Sequence, residues 1–370
     1  MKFGVGVLGA TGYIGTPYRA EMRDSTDDCN IVALCARRVP LLEEAGKLDG
    51  ATLITTNWRE VIEHPDVNLV MVATPDALHI NEVLACVEAG KHIFCEKPIG
   101  MNADEAQQMW DAVKDSGLAH FVPFWTRYVP VFVEAKKRIP SLGIIKAMVY
   151  RWHNPRPMAM PFTWRDDAAL SSAGSIADVG SHAYDTMRWM LGGEATRVLA
   201  HGDVITIAKP DLGEVNLDEA LAWGGEHQAA DSEFKKVGTA FDYASISFEF
   251  SHSPGYGDSI AGTLVLSHAP YIRKGFSPEV EIHGTEGSLA IDRINSQLTQ
   301  VTVDSPDPEV IKVDDPGFGN RFAKHVFPGL RARLEGKGEE YPGIDDGCKV
   351  QLFTDAAARS AREGKWVTIE

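Results

Sequence analysis

Short apolar runs and amphipathic stretches alternate along the first third of the chain. Phe3–Leu8, Ile31–Ala36 and Asn68–Ala73 are almost wholly apolar, as expected of strands buried on both faces of a parallel sheet. Between such runs, apolar residues recur at helical spacing, and in 78–89 they are Ile80, Val83, Leu84 and Val87. The same pattern predicts helices over 15–24, 41–48 and 58–63 and strands over 51–55 and 92–95. This alternation predicts right-handed βαβ units and a doubly wound parallel sheet.

After about residue 123 apolar and polar positions alternate with a period of two. In 243–250 the apolar side chains share one face of the predicted strand: Ala244, Ile246, Phe248 and Phe250. Such alternation is typical of an antiparallel sheet with one face on a core. Further strands are predicted over 144–152, 198–207, 262–267, 280–283 and 297–303. Residues 208–240 are polar and acidic and are interpreted as a long excursion, either a lid or a subunit-bridging loop, and 349–362 as an amphipathic helix.

These patterns predict an α/β protein of two domains. Residues 1–122 form a Rossmann domain with a doubly wound parallel sheet. Residues 123–370 form a second domain with a mainly antiparallel sheet, whose second face is either wet or an oligomer interface. A chain of 370 residues is long enough for two such cores.

Composition narrows the class of partner. The net charge of −16 argues against nucleic acid and anionic membranes, which need a basic surface. The five cysteines are odd in number and none forms a CxxC pair, which favours a reducing cytoplasm and no metal site. No apolar run approaches the roughly 20 residues of a membrane span. Met1-Lys2 leads directly into the first predicted strand, so no signal peptide is expected.

A glycine-rich turn joins the first predicted strand to the first helix. Its glycines are Gly9, Gly12 and Gly15, and between them stand Ala10, Thr11, Tyr13 and Ile14. Glycines at this place allow the backbone to approach a pyrophosphate, and the helix N-terminus offers free N–H groups. The spacing is G-x-x-G-x-x-G, because Thr11 stands where a second glycine often falls. The turn predicts dinucleotide binding, with a merely tight structural turn as the alternative.

The residues after the second predicted strand bear on which dinucleotide binds. An acidic residue usually lies here and accepts the ribose 2′-OH of NAD. This chain has Ala36 at that position, followed by Arg37 and Arg38, whose guanidiniums match a phosphate in charge and geometry. NADP(H) is therefore favoured over NAD(H). The alternative is that both arginines are solvated charges and either cofactor is used.

Two more strand ends lie on the same edge of the predicted sheet. Thr74-Pro75 ends the fourth strand, and they and His79 are predicted to border the cofactor, although His79 could instead pack on the turn. Glu96-Lys97-Pro98 ends the fifth strand. A lysine at the end of a buried strand is a poor structural choice unless a ligand site lies there. The Lys97-Pro98 bond is one that can become cis at modest cost, and the alternative is that this motif is an ordinary surface turn.

A helix predicted over 178–191 carries the second candidate group. Asp178 and His182 stand at i and i+4, and Asp185 lies three residues beyond His182. A carboxylate beside an imidazole raises its basicity and fixes its orientation, as proton transfer near neutral pH requires. The alternative is that His182 is a satisfied core histidine.

Together these motifs resemble the Gfo/Idh/MocA oxidoreductases, the family of glucose–fructose oxidoreductase and inositol dehydrogenase. They are the glycine turn, Thr74-Pro75, Glu96-Lys97-Pro98 and the Asp178-x-Gly-x-His182-x-x-Asp185 pattern. Phe124–Tyr128 is similar to the family's entry to its second domain, and Gly284–Ser288 to its late strand turn. The resemblance runs nearly end to end.

The resemblance implies a nicotinamide near Lys97, Asp178 and His182, the predicted catalytic residues, which also contact substrate. It also implies that Glu96, Trp164 and Arg165 contact the cofactor and that Arg127, His153 and Asn154 line the substrate pocket. Because His153-Asn154-Pro155 matches the family pattern only in part, His153 and Trp164 could instead be packing residues. The resemblance further implies that residues 123–370 are a C-terminal α/β domain that binds substrate, and that its open, mainly antiparallel sheet mediates a homodimer or homotetramer.

The resulting hypothesis is reversible hydride transfer between a secondary alcohol of a sugar or cyclic polyol and NADP. His182 takes the hydroxyl proton, and Lys97 stabilises negative charge on the same oxygen. Two alternatives remain open: a glycosidase that uses the nucleotide for transient oxidation, and a non-catalytic nucleotide sensor that controls a protein partner. The sequence does not identify the sugar.

Overall fold

The computed structural model describes residues 1–206, 208–251, 259–270 and 278–369. The chain forms two compact units. The first comprises Met1–Pro123, Glu214–Glu219 and Gly319–Gln351; the second comprises Phe124–Gly213, Ala220–Phe318 and the residues from Leu352. Gly319–Gln351, predicted as part of the second domain, therefore belong to the first unit. The predicted strand over 198–207 ends at a residue, 207, that lies outside the described ones.

Strands and helices alternate through residues 1–123, as predicted. The strands are β1 (Phe3–Leu8), β2 (Cys29–Cys35), β3 (Leu53–Thr55), β4 (Leu69–Val72), β5 (His92–Cys95) and β6 (His120–Phe121). The helices are α1 (Gly15–Arg23), α2 (Val39–Asp49), α3 (Trp58–Glu63), α4 (His79–Glu88) and α5 (Ala103–Val113). No bound of a predicted element differs from the observed one by more than two residues, and α5 and β6 were not predicted.

The sheet of the first unit has the order β3-β2-β1-β4-β5-β6, and its strands are parallel. All four residues of β4 are buried, as in a strand covered on both faces. The strand order reverses between β1 and β4, and ligands bind at this point in open parallel sheets. The predicted doubly wound Rossmann sheet is confirmed.

The middle of the chain supplies most of the second sheet. This part of the chain contains the strands β7 (Ile145–His153), β8 (Ala195–Asp203), β9 (Lys209–Pro210), β10 (Lys235–Lys236), β11 (Tyr243–Phe250), β12 (Ile260–Ser267), β13 (Val280–Gly284), β14 (Gly287–Asp292), β15 (Gln297–Thr302) and β16 (Ser305–Lys312), of which β9 and β10 form a separate pair. Its helices are α6 (Pro130–Arg138), α7 (Ser175–Leu191) and α8 (Leu217–Glu226). The chain then forms α9 (Phe327–Leu334), α10 (Ile344–Glu363) and β17 (Val367–Thr368).

Within the described residues this second sheet has the order β16-β15-β14-β13-β7-β12-β11-β8-β17. Its pairs are antiparallel except β7 with β12, which run parallel. In β11 the predicted face is buried, and α7 packs on β7, β11 and β12. The mainly antiparallel sheet is confirmed. The parallel pair was not predicted, and it brings the carboxyl ends of β7 and β12 to the same edge.

Three regions differ from the sequence prediction. Residues 208–240 are not a bare excursion, because they contain α8 and the β9–β10 pair. The last helix begins at Ile344, five positions before the predicted start at Lys349. The strands β14, β16 and β17 and the helices α6 and α9 were missed. In β16 seven of eight residues are exposed, so the strand lacks the buried alternation that identifies the others.

Candidate functional site

The first turn brings backbone segments too close together for side chains. Gly9 has a φ of +79°, and a Cβ there would lie 2.3 Å from the carbonyl oxygen of Ala73. A Cβ on Gly15 would lie 2.3 Å from the carbonyl oxygen of Gly9. Glycine is therefore required at both positions. The turn lies at the carboxyl end of β1, beside the residue that follows β4.

The helix that follows this turn is open at its start. Ile14, the residue before α1, provides no side-chain cap, and the first turn of the helix contains no acidic residue. The first N–H groups of a helix have no acceptor within it and carry the positive end of its dipole. Around them Ala10 is buried, Thr11 and Gly12 are half-buried and Tyr13 is exposed. This backbone cradle fits the pyrophosphate of a dinucleotide.

The two arginines after β2 already face carboxylates of the same unit. Ala36 is buried, whereas Arg37 is exposed and Arg38 half-buried. The Nη1 atom of Arg37 lies 3.1 Å from Oε1 of Glu214. The Nη1 atom of Arg38 lies 2.7 Å from Oε1 of Glu219. Each arginine is therefore paired with a carboxylate, and the pair made by Arg37 is largely exposed.

His79 connects two strand ends. Its Nδ1 lies 2.9 Å from the carbonyl oxygen of Pro98, and its Nε2 lies 2.9 Å from that of Thr74. The ring is wholly buried, and burial lowers the pKa of His79, so it is neutral near pH 7. This geometry favours the packing alternative over a direct cofactor contact. Thr74 donates a hydrogen bond to Glu82 at 2.5 Å, and Pro75 is half-buried beside it.

Lys97 follows β5, and its backbone N–H donates a hydrogen bond to the side chain of Glu96. The Glu96 carboxylate accepts hydrogen bonds from the Tyr18 hydroxyl at 2.8 Å and from the Lys97 N–H at 3.2 Å. Glu96 is buried, which raises its pKa. The peptide bond between Lys97 and Pro98 is cis, and Lys97 is half-buried. Glu96 therefore supports the strand end from inside the unit and does not face solvent.

Lys97 belongs to the first unit, whereas Asp178 and His182 belong to the second. Both lie on α7, which includes the whole of the predicted helix, so Asp178 and His182 are about one helical turn apart, as predicted. The His182 ring is stacked on Trp152, with ring centroids 5.6 Å apart and planes 18° apart. The edge of Phe124 packs against it with centroids 6.3 Å apart. Aromatic packing thus orients the ring, which remains half-buried.

The Asp178 carboxylate lies beside two buried groups. Its Oδ2 is 3.5 Å from Nη2 of Arg156 and 3.3 Å from Nε2 of His268. Burial, with the charge of Arg156, lowers the pKa of His268 to about 4, so this ring is neutral near pH 7. The Asp178 side chain itself remains 26% exposed. A charged carboxylate with a buried countercharge and an exposed edge is suited to hold a polar ligand.

Asp185 has a different environment. Arg127 donates two hydrogen bonds to it, Nε to Oδ2 at 2.8 Å and Nη2 to Oδ1 at 2.5 Å. Nη1 of Arg188 lies 3.5 Å from the same carboxylate, which is wholly buried. Arg127 was predicted to line the substrate pocket. In the structure its guanidinium donates both of these hydrogen bonds to an internal carboxylate.

The other predicted substrate and cofactor residues of the second unit lie at β7 and after it. His153 ends β7 and is half-buried, and Asn154 is exposed while its N–H bonds the carbonyl of Ser267. Trp164 and Arg165 are half-buried, and the Arg165 guanidinium stacks on Trp164 at 4.4 Å. Their contact with a cofactor remains a prediction.

Several residues of the site were missed by the sequence prediction. His268 follows β12, and only the parallel pairing with β7 reveals that it lies near the residues after β7. Glu214 and Glu219 are separated from their arginines by 177 and 181 positions. Tyr18 sits in an ordinary helical pattern. Among the described residues, no cluster of three His, Cys, Asp or Glu side chains could hold a metal ion.

Comparison with known proteins gives two family matches. Residues 3–124 match a model described as the oxidoreductase family with an NAD-binding Rossmann fold. Residues 132–290 match the GFO/IDH/MocA C-terminal domain. Together they cover most of the chain. No helix in the described ranges is long and apolar enough to span a bilayer.

Similar proteins extend over nearly the whole chain. Levoglucosan dehydrogenase from Pseudarthrobacter phenanthrenivorans is 27% identical over 354 residues, covering 89% of this chain and 87% of the relative. Myo-inositol 2-dehydrogenase from Thermotoga maritima is 25% identical over 370 residues, covering 99% and 98%. The crystal structure of an oxidoreductase domain protein from Kribbella flavida superposes with a TM-score of 0.82 at 23% identity, covering 100% and 99%, which shows a common fold.

Proposed function

Because the chain belongs to the Gfo/Idh/MocA oxidoreductase family, we propose that it transfers a hydride to or from a sugar or cyclic polyol. The reacting group is a secondary alcohol or the corresponding carbonyl. The observation that carries this proposal is the half-buried His182 on the same helix as Asp178, a carboxylate with a buried countercharge. The names of relatives that act on levoglucosan and on myo-inositol support the substrate class.

The nucleotide would be held by the turn Gly9–Gly15 and by the open start of α1, with Thr74 and Pro75 at the neighbouring strand end. We propose NADP(H) in preference to NAD(H), because Ala36 removes the usual carboxylate and two arginines follow it. When bound, the nicotinamide supplies hydride donation or acceptance. Trp164 and Arg165 complete the proposed cofactor contacts.

The chain's own residues move the proton and stabilise charge. His182 takes the hydroxyl proton during oxidation and returns it during reduction. Lys97 donates a hydrogen bond to the same oxygen and stabilises the negative charge that develops there. Asp178 favours the protonated imidazole and offers its exposed edge to a substrate hydroxyl. His153 and Asn154 are proposed to line the substrate pocket, whereas Arg127 supports α7 from inside.

The experiment begins with a panel of neutral sugars, inositols and aldonic acids, screened for production or consumption of NADPH and NADH. With the best substrate, Lys97→Ala and His182→Ala should each lower kcat by about 10²- to 10⁴-fold. Nucleotide affinity, measured by titration, should stay within about threefold in His182→Ala. His201→Ala, an exposed histidine on β8, is the matched control and should retain activity.

Two results would contradict the proposal. Retained turnover in both Lys97→Ala and His182→Ala would remove these residues from the chemistry. Release of free sugar from a glycoside, without net change in the reduced nucleotide, would replace the dehydrogenase with a redox-assisted glycosidase.

We further propose a homodimer or homotetramer through the open face of the second sheet. Its support is the exposed strand β16, together with exposed Val303 and Val310. A cytoplasmic location is proposed from the five buried cysteines, none of which forms a disulfide. Size-exclusion chromatography with light scattering tests the assembly, and a monomer would contradict it.

A further inference from the structure

The segment Glu214–Glu219 presents two carboxylates to the arginines that follow β2, within the first unit. Glu214 pairs with Arg37 at 3.1 Å. Glu219 pairs with Arg38, whose Nη1 lies 2.7 and 2.9 Å from the two carboxylate oxygens. Both arginines that follow Ala36 are thus paired with carboxylates from a distant part of the chain.

The two pairs are held very differently. The side chains of Arg37 and Glu214 are 76% and 65% exposed, so their pair is a surface contact that contributes little to stability. The side chains of Arg38 and Glu219 are only 29% and 42% exposed. Glu219 is therefore the carboxylate with the stronger hold on its arginine.

Glu219 is also fixed by the start of α8. The Asn216 side chain accepts a hydrogen bond from the Glu219 N–H at 2.9 Å, and Glu219 Oε2 accepts one from the Asn216 N–H at 2.8 Å. This reciprocal pattern is a capping box, which holds the carboxylate in place. Partial burial raises the pKa of Glu219, but the hydrogen bonds from Asn216 and Arg38 outweigh it and lower the pKa below its usual value. Glu219 therefore stays charged.

A fixed carboxylate on Arg38 affects the two nucleotides unequally. The 2′-phosphate of NADP needs a guanidinium and is repelled by a carboxylate at the same place. NAD carries a 2′-hydroxyl there, which is neutral and can donate a hydrogen bond. We propose that Glu219 is a specificity-determining residue, which competes with the 2′-phosphate for Arg38 and so reduces the preference for NADP. This inference rests on the proposed nucleotide-dependent function.

The test is the dissociation constant of NADP⁺ and of NAD⁺, measured by calorimetry on the full chain. Glu219→Gln removes the charge but keeps the capping box, because glutamine serves equally well at that position. It should tighten NADP⁺ binding about tenfold and change NAD⁺ binding less than about twofold. Glu214→Gln is the matched control and should change both constants less than about twofold.

A double-mutant cycle identifies the route of the effect. In an Arg38→Ala background, Glu219→Gln should change NADP⁺ affinity less than about twofold, because the contested guanidinium is absent. The inference is overturned if Glu219→Gln weakens NADP⁺ binding, if it acts no more strongly than Glu214→Gln, or if its effect persists without Arg38. If the unaltered chain binds neither nucleotide, the proposed function itself fails; if it binds them and Glu219→Gln leaves their ratio unchanged, only the inference fails.

Discussion

Helix α7 carries two aspartates, one on each side of His182, and their surroundings are opposite. Asp185 is wholly buried and accepts two hydrogen bonds from Arg127. Asp178 is partly exposed and lies at 3.5 Å from Arg156 and 3.3 Å from His268. Of these two aspartates on one helix, Asp185 therefore serves internal packing, whereas Asp178 remains accessible to a ligand.

The difference also gives Arg127 a role inside the second unit. A guanidinium next to a sugar pocket is well suited to bind substrate. In this chain, however, Nε and Nη2 of Arg127 both donate hydrogen bonds to Asp185. Arg127 and Asp185 form an internal pair, so substitutions there should act on stability. Substitutions at Asp178 should act on turnover.

The largest expected effect is a loss of stability when Asp185, the buried aspartate of α7, is replaced. Asp185→Ala leaves Arg127 buried without its countercharge, and we expect a loss of about 3 to 5 kcal/mol in the free energy of unfolding. Urea denaturation followed by tryptophan fluorescence measures it. Asp178→Ala is the matched control and should lose no more than about 1 kcal/mol, because Asp178 is partly exposed and Arg156 keeps Asp166 nearby.

A second variant separates the loss of a charge pair from the loss of packing. Arg127→Met with Asp185→Leu removes both charges at similar volume, and most of the stability should return. Equal losses for Asp185→Ala and Asp178→Ala would contradict the contrast between the two ends.

The first unit was largely predictable from sequence because its signals are local. Apolar runs define its strands, and Gly9 and Gly15 fill positions where any Cβ would collide with backbone. Strand order then follows from the handedness of βαβ units. The sequence left two alternatives for His79, because the pattern around a histidine at a helix start is the same whether the ring contacts a ligand or packs inside. In the structure the ring contacts two carbonyl oxygens.

The site residues of the second unit were less predictable because they depend on strand pairing. An alternating pattern indicates a strand but not its neighbour or its direction. The parallel pairing of β7 with β12 aligns His153 with Ser267, and this alignment brings His268 near the residues after β7. Glu219 presents the same difficulty, since nothing near Arg38 in the sequence indicates its partner.

Protonation of His268, which lies beside Asp178, should make the stability of the folded chain sensitive to acid. Its pKa is about 4 in the folded chain against an ordinary 6.5, because the ring is buried and faces Arg156. Between these values the unfolded chain binds the extra proton, so stability falls as the pH drops from about 6.5 to about 4 and then levels off. The difference corresponds to about 3 kcal/mol. His268→Asn should remove this part of the acid sensitivity, measured as unfolding free energy near pH 7 and pH 4.5.

Other buried histidines contribute their own acid sensitivity, including His120, whose pKa burial lowers to about 3. The comparison is therefore made between variants: His201→Asn, at an exposed position, should keep the full pH dependence of the unaltered chain. An unchanged slope in His268→Asn would show that His268 is charged in the folded state, and its contact with Asp178 would then be an ion pair.

The smallest expected effect distinguishes the two aspartates by catalysis alone. Asp178→Asn keeps the shape of the side chain but removes its charge, and we expect kcat to fall about tenfold to a hundredfold. A carboxylate favours the protonated imidazole, so its removal should also move the acidic limb of the pH profile for alcohol oxidation to lower pH. Asp185→Asn is the control: it should lower stability while kcat per folded molecule and the pH profile stay unchanged. If both variants shift the profile equally, Asp178 acts through the fold of α7 and not through its charge beside His182.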